Sequence, residues 1–326
     1  MIKIFKYFKY ISILFIFLIP LVVESQVNQY PNQPIKIIMP FAPGSGTELA
    51  IRLISERLSN NLKQPVVIEN RPGAGTTLGT DVVAKSNPDG YTLLATFNSS
   101  IAPGPLMYKK LGYDPIKDFV HISLIGIYPI YLIVKNDNPI KNIEELISYA
   151  KNNPGKINYA SAGVGTSGFL AAELLKQTLS LEMNHIPYKG PNPALIDLLG
   201  GRLDMVLTAS AGELVKAGKV RIIAVTSEKR SDAFPEAPSL GEVAKGVHAV
   251  SWFGFSAPSQ TPKSIVTRLE KEIISIVSTT EMKNKLSDPS VGLIPYVLDS
   301  EKFTEFIKNE NKFWLPIIKN GNITVE

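Results

Sequence analysis

The 326-residue chain contains no cysteine. That single absence excludes disulfides, thiolate metal sites, cysteine nucleophiles and a lipid anchor on an N-terminal cysteine. Histidine is scarce as well. His121, His185 and His248 stand far apart, without the spacing of a zinc site or a catalytic triad, so no metal site is expected. No basic cluster or arm occurs, and a net charge of +5 without one gives no reason to expect a nucleic-acid partner. Internal repeats and low-complexity tracts are missing too. Beyond residue 25 no stretch is long and apolar enough to span a bilayer as a helix, which takes about 20 residues. The composition that remains, 44% hydrophobic and 19% charged, suits a globular chain long enough for two domains with a core each.

The first 25 residues are of another kind. Lys3, Lys6 and Lys9 precede a nearly continuous apolar run from Tyr10 to Val23, and small residues at Val23 and Ser25 suit a cleavage point. This pattern predicts an export signal over residues 1–25, cleaved near Ser25, with Gln26 opening a mature periplasmic chain. Its removal takes three lysines and one glutamate and leaves a net charge of +3. The start has lysines but no twin arginines, the mark of the export route for prefolded, cofactor-loaded proteins.

From residue 35 onward short β-rich runs alternate with helical patterns, which predicts an α/β fold. Expected strands cover 37–42, 66–69, 91–96, 122–127, 131–134, 157–162, 183–188, 203–208, 220–226 and 252–256. Expected helices cover 47–62, 76–85, 192–199, 263–278 and 300–318. A further helix opens at Asn142, with Glu145 as its capping-box partner, another follows the 161–168 loop, and a short one lies around Glu213. The order suggests two α/β lobes, with the chain crossing near 126–130 and returning near 227–238, where Ser231, Pro235, Pro238 and Ser239 gather. On this division residues 26–128 and 229–326 form the first lobe and 129–228 the second. Two crossings make a hinge, and a hinge between lobes makes a cleft.

The stretch "SAGVGTSGF" carries a literal G-x-G-x-x-G at Gly163, Gly165 and Gly168 between a strand and a helix. A dinucleotide site there wants an acid at the end of the following strand, to hold a ribose hydroxyl. That strand ends His185-Ile186-Pro187-Tyr188-Lys189-Gly190, with no acid. The loop "PGSGTE" is no phosphate loop either, because it lacks the spacing and the lysine and has Glu48 where a cation is wanted. Ser167 sits one residue short of a hydrolase elbow. What survives is a shared device. The strands ending at Ala42 and Ala162 each run through a glycine loop into a helix start, with free N–H groups and the hydroxyls of Ser45, Thr47, Thr166 and Ser167. Helix N-termini attract anions, and two such turns, one per lobe, can face each other across a cleft. Small carboxylates are the natural targets. The competing class is an extracytoplasmic enzyme in the same cleft, a hydrolase or a dinucleotide-dependent oxidoreductase using the GVGTSG loop. The lack of a paired acid and base, of a nucleophile elbow and of a metal cluster weighs against it.

From Tyr30 onward the chain resembles the Bug-type extracytoplasmic solute receptors, the binding proteins of tripartite tricarboxylate transporters. Seven collinear blocks carry the likeness: "YPNQPIKIIMPFAPGSGTE", "VIENRPGAGTTLGTDVVAKSNPDGYTLL", "GYDPIKDF", "INYASAGVGTSGFLAAELLK", "IPYKGPNPALIDLLGGRLDMVL", "FPEAPSLGEVAKG" and "SWFGFSAPSQTPKSIVTRLEKEI". The resemblance implies a two-lobed periplasmic-binding-protein (Venus-flytrap) fold of type II-like form, without catalytic activity or cofactor. It implies a small carboxylate ligand, a monomeric receptor, and a membrane transporter or sensor protein as partner. Carried over, the first-lobe contacts are Phe41, Pro43, Gly44, Ser45, Gly46, Thr47 and Glu48. The second-lobe contacts are Ala162, Gly163, Val164, Gly165, Thr166 and Ser167, with Tyr188, Lys189, Gly190 and Thr208 completing the wall. The chain departs from the family pattern P-G-G-x-x-D at Ser45 and Glu48, has Phe169 where a histidine is usual, and lacks the usual histidine in "NSSIAP". Helix packing is the expected role of Phe169.

Overall fold

Runs of β-branched and aromatic residues make the strands, and a computed structural model describes them over residues 30–209 and 211–324. The expected export signal and its cleavage point lie outside the described residues. The strands are β1 Ile35–Met39, β2 Val66–Asn70, β3 Thr92–Phe97, β4 Phe119–Pro129, β5 Tyr131–Lys135, β6 Ile157–Ser161, β7 Met183–Pro187, β8 Met205–Thr208, β9 Val220–Val225, β10 Val250–Pro258 and β11 Ile294–Leu298. The helices are α1 Gly46–Leu62, α2 Thr77–Ala84, α3 Ile143–Asn152, α4 Ser167–Leu179, α5 Pro191–Leu199, α6 Gly212–Lys216, α7 Leu240–Val243, α8 Lys263–Val277, α9 Thr280–Ser287 and α10 Ser300–Asn320.

The strands form two sheets. The first has the order β11-β4-β10-β3-β1-β2, with β1 parallel to β2 and β3, and β10 antiparallel to β3 and β4. The second has the order β7-β6-β8-β5-β9, with β6 parallel to β7 and β8, and β5 antiparallel to β8 and β9. Helices cover both faces of each sheet, which is why the strands read as continuous apolar runs. Alternation still sorts the side chains. Ile35, Ile37 and Met39 pack with Ile51, Ile54 and Leu58 of α1 and Leu269 of α8, whereas Ile38 packs with Val83 of α2 and Phe303 of α10. In the second sheet Leu132 and Tyr159 face α3 and α4, and Ile133 and Ala160 face α5.

The chain leaves the first sheet at Pro129 and enters the second at Tyr131. It returns at Ala249–Val250, beyond the turn-rich 227–238 stretch in which the sequence predicts the return. Leu240, Ala244, Val247 and Ala249 are buried in the core of the second sheet, so this segment packs there and not on the first. Burial of these four apolar side chains outweighs the turn signals that precede them. Thr226 ties the crossings together. It donates its N–H to Ile130 O at 2.8 Å, accepts Ala249 N at 2.8 Å and donates its hydroxyl to Ala249 O at 2.5 Å. A third link is α10, whose Phe303 and Ile307 pack on the first sheet and whose Trp314 and Ile318 pack in the second core.

Three elements are absent from the sequence expectation: α7, α9 and β11. In α9 only Met282 and Leu286 are buried, too little for a visible apolar stripe. Strand β11 contains Pro295, which argues against a central strand. It lies at the sheet edge, where a missing N–H is tolerated.

Candidate ligand-binding cleft

Two glycine loops approach each other between the sheets, and they finish their helices differently. After β1, Ser45 caps α1 and its Oγ accepts Glu48 N at 3.2 Å. The Glu48 carboxylate is buried. It accepts Gly44 N at 2.6 Å and pairs with Arg52. A glutamate at this position is long enough to reach back over its own loop, so Glu48 fastens the first loop and turns away from the cleft.

After β6 the loop folds on itself. Ser161 Oγ donates to Gly163 O at 3.0 Å and accepts Gly163 N at 3.2 Å, and Thr166 Oγ1 donates to Gly163 O at 2.7 Å. Gly163 and Gly165 have φ of +131° and +84°, which glycine adopts without strain. With its hydroxyl engaged behind it, Thr166 caps α4 with no side-chain acceptor, and no acid lies in the first turn. The N–H groups of Ser167, Gly168 and Phe169 precede the first intrahelical bond and find no partner in the helix. His185 supports this loop from below. Its Nε2 lies 2.8 Å from Ser161 Oγ, and its ring packs on Phe169 at 4.7 Å and Tyr159 at 4.9 Å. Burial first, and Lys176 second, push the imidazole down to about 4, so it is neutral near pH 7.

Seven of the sequence-expected residues, Phe41, Ser45, Thr47, Ala162, Thr166, Ser167 and Thr208, line one cavity of about 60 Å³ between the loops. At roughly 10–15 Å³ per water it has room for four to six waters, or for a compact organic molecule. Phe97, Asn98, Ile130, Gly168, Pro191, Leu207, Ala209 and Ser251 complete its wall. Among the described residues that line it, none is charged. Gly163, Val164, Tyr188 and Lys189 face an adjoining chamber of about 320 Å³, opposite Gly73–Thr76 and Tyr108, and Phe41 and Ala162 border both spaces. Gly44 and Gly46 lie at another edge, beside Asn192 and Pro289. Pro43 O is 3.4 Å from Asn192 Nδ2, Gly165 stands against Gly104 and Met107, and Gly190 faces Ala42.

The two walls touch. Asn98 Nδ2 donates to Ser167 Oγ at 2.6 Å, Ala42 N donates to Lys189 O at 3.2 Å, and Asn192 Nδ2 donates to Gly44 O at 2.8 Å. Ser167 Oγ also donates to Val250 O at 3.1 Å, in the returning strand. Asn98 and Ser251 escape a sequence reading because only tertiary pairing brings them here. Their signal is confined to small polar residues beside strand ends.

The family described as tripartite tricarboxylate transporter family receptor matches residues 50–323. The chain belongs to this receptor family. The UPF0065 protein in the tcbD-tcbE intergenic region of Pseudomonas sp. (strain P51) is 35% identical over 300 residues, covering 90% of this chain and 88% of that protein. Among solved structures, the periplasmic binding protein BugD aligns at 32% identity with a TM-score of 0.85, over 91% of this chain and 100% of its own. R. palustris Rpa4515 with adipate aligns at 31% identity with a TM-score of 0.86, over 91% and 99%. The family is thus one of periplasmic solute-binding proteins, and the two-lobed α/β fold of these neighbours is the fold of this chain. Among the described residues, no helix of this receptor is long and apolar enough to cross a membrane.

Proposed function

We propose that the chain is a periplasmic solute receptor that closes its two lobes on a small organic carboxylate and presents the closed form to tripartite transporter subunits or to a sensor protein. The observation that carries this reading is the uncapped N-terminus of α4, opening into an uncharged cavity walled by both sheets. Hydrogen bonds to a charged group contribute roughly 1.5–3 kcal/mol each. Four donors, the N–H groups at the α4 start and a hydroxyl of Ser45 or Thr47, give about 6–12 kcal/mol. Micromolar binding needs about 8 kcal/mol. The lining groups are hydroxyls, an amide and backbone donors, which suit reversible capture without chemical change. Membership of the receptor family and the adipate of one neighbour support the choice of a carboxylate. In this reading the protein is exported, loses residues 1–25, acts as a monomer without cofactor or metal, and has no nucleic-acid partner. Its lobes are built around the two sheets and turn about the crossings at 129–131 and 249–250.

Thermal-shift screening with mono-, di- and tricarboxylates, amino acids and aromatic acids tests the proposal. At least one acid is expected to raise Tm in a concentration-dependent way. Native mass spectrometry of the purified protein that released a nucleotide, or a substrate chemically altered on the protein, would refute it.

A further inference from the structure

The turn between α9 and β11, residues 288–292, joins the two lobes without lining the cavity between the glycine loops. It belongs to the first lobe, where Val291 and Leu293 are buried in the core of the first sheet. Its shape is fixed within that lobe. Asp288 Oδ1 accepts the N–H and the hydroxyl of Ser290 at 2.9 Å and 2.6 Å, and Asp288 O accepts Val291 N at 2.8 Å and Gly292 N at 2.7 Å. One side of the turn backs the first glycine loop. A Cβ added to Gly46, between the cavity residues Ser45 and Thr47, would lie 2.8 Å from Ser290 O and 2.9 Å from Val291 O. The other side meets the second lobe. A Cβ added to Gly212, in the first turn of α6, would lie 2.5 Å from Pro289 O, and one added to Gly292 would lie 3.8 Å from Ala209 O. Ala209 follows Thr208 in the cavity wall and packs against the cores of both sheets. Gly212 lies outside the left-handed region, so the missing side chain serves this contact rather than the backbone. Charge favours the same approach. The Ser290 hydrogen bonds, and then Lys216 of α6, hold the Asp288 carboxyl below the usual carboxylate range.

Resting on the receptor reading, we infer that the 288–292 turn is the clasp of the closed cleft, and that Gly212 is the positioning residue that receives it. The turn fixes the Ser45–Thr47 wall against the Thr208–Ala209 wall and leaves the solute to the cavity. Because it is preformed, docking on α6 orders little further chain. It acts on the share of molecules that are closed, and apparent affinity scales with that share whatever the solute. Strength of capture is set at this seam, and choice of solute is set in the cavity.

Calorimetry and stopped-flow kinetics of Gly212→Val with butyrate, malate, adipate and citrate test this. Every acid that the wild type binds is expected to lose at least tenfold in affinity through faster dissociation, with the order among the acids unchanged. Lys216→Glu, at an exposed site, is expected to weaken the same acids at least threefold at low ionic strength, an effect that fades as salt is added. It decides alone if Gly212→Val does not fold. The absence of cysteine allows a direct reading of closure from spin labels at Glu56→Cys in α1 and Lys151→Cys in α3, both exposed and in different lobes. With a bound acid present, Gly212→Val should enlarge the population at long distance. Unchanged affinities and label distances in a chain that binds one of these acids overturn the clasp and leave the receptor reading standing. A loss confined to one acid also overturns it, because Gly212 would then belong to the solute site. If the wild type binds none of the four and the wider acid panel is silent, the receptor reading falls and the clasp falls with it.

Discussion

Gly165 does not line the cavity, yet it shapes the loop that does. Its φ of +84° and the 3.1 Å and 3.2 Å from an added Cβ to Met107 Cε and Gly104 Cα leave little room for a side chain. Left-handed backbone costs about 1–2 kcal/mol for an L-residue, before any clash. Gly165→Val is therefore expected to lower Tm by a few degrees and to weaken carboxylate affinity at least tenfold, read by thermal melting and calorimetry. Unchanged affinity would remove the loop from the site. Ser167 makes a second prediction, because its hydroxyl joins Asn98 of one wall to Val250 of the returning strand. Ser167→Ala leaves the buried Asn98 amide without that partner, a loss of about 1–3 kcal/mol. Small-angle scattering of the unliganded variant should show a larger radius than wild type, and an unchanged radius would mean that the latch is not needed for closure. At this scale the sequence shows which residues are small and polar, and Ser45, Thr47, Thr166 and Ser167 among them line one cavity. It does not show direction. Glu48 stands among the ligand contacts in the linear pattern, and only its reach back to Gly44 N shows it serving the loop.

Helix ends and strand edges account for most of what the sequence reveals about elements. Asn142 caps α3 as its spacing predicts, accepting Glu145 N at 2.8 Å, although the Glu145 carboxylate reaches Lys141 N rather than the N–H of Asn142 itself. Asn142→Ala is expected to cost about 1 kcal/mol, seen as a drop of roughly 2–4 °C in Tm. Solute affinity should survive, since no residue of α3 lines the cavity. The long amphipathic helices α1, α8 and α10 are legible because their apolar faces repeat over several turns. The short α7 and the polar α9 are not, since a few buried side chains give no period to detect. The contrast between α1 and α4, one end filled and one bare, needs the side-chain bonds of Thr166 and Glu48 and cannot be read from two similar glycine strings.

At the scale of the whole molecule, the straddling helix carries a carboxyl that couples stability to pH. Glu310 of α10 is held where the helix passes from one core to the other, with Trp252 Nε1 donating to it at 3.2 Å. Burial is the largest cause that raises its carboxyl from 4.5 to about 7. The folded protein thus keeps a proton that the unfolded chain releases between these values, and stability falls as pH rises from about 4.5 through 7. His121 and His185, lowered by burial to about 4, act in the opposite sense, and their contribution is lost as pH falls from about 6.5 to 4. Glu310→Gln should remove the loss on the alkaline side, so that its Tm relative to wild type increases between pH 5 and 8. A difference independent of pH would mean that Glu310 is not the titrating group. The two-sheet plan and its α/β order are legible in sequence, because strand and helix periods alternate. The position of the return crossing is not, because Leu240, Ala244, Val247 and Ala249 declare their allegiance only by the core they enter.

The placement of β10 bears on biogenesis. It lies between β4 and β3 in the middle of the first sheet, yet it is built from residues 250–258. Until that segment is available, β1 to β3 cannot join β4, whereas every strand of the second sheet is present by residue 225. A chain threaded across a membrane from its N-terminus would therefore have every strand of its second sheet in hand before its first sheet can be completed, and its early strands would wait for a partner more than a hundred residues downstream.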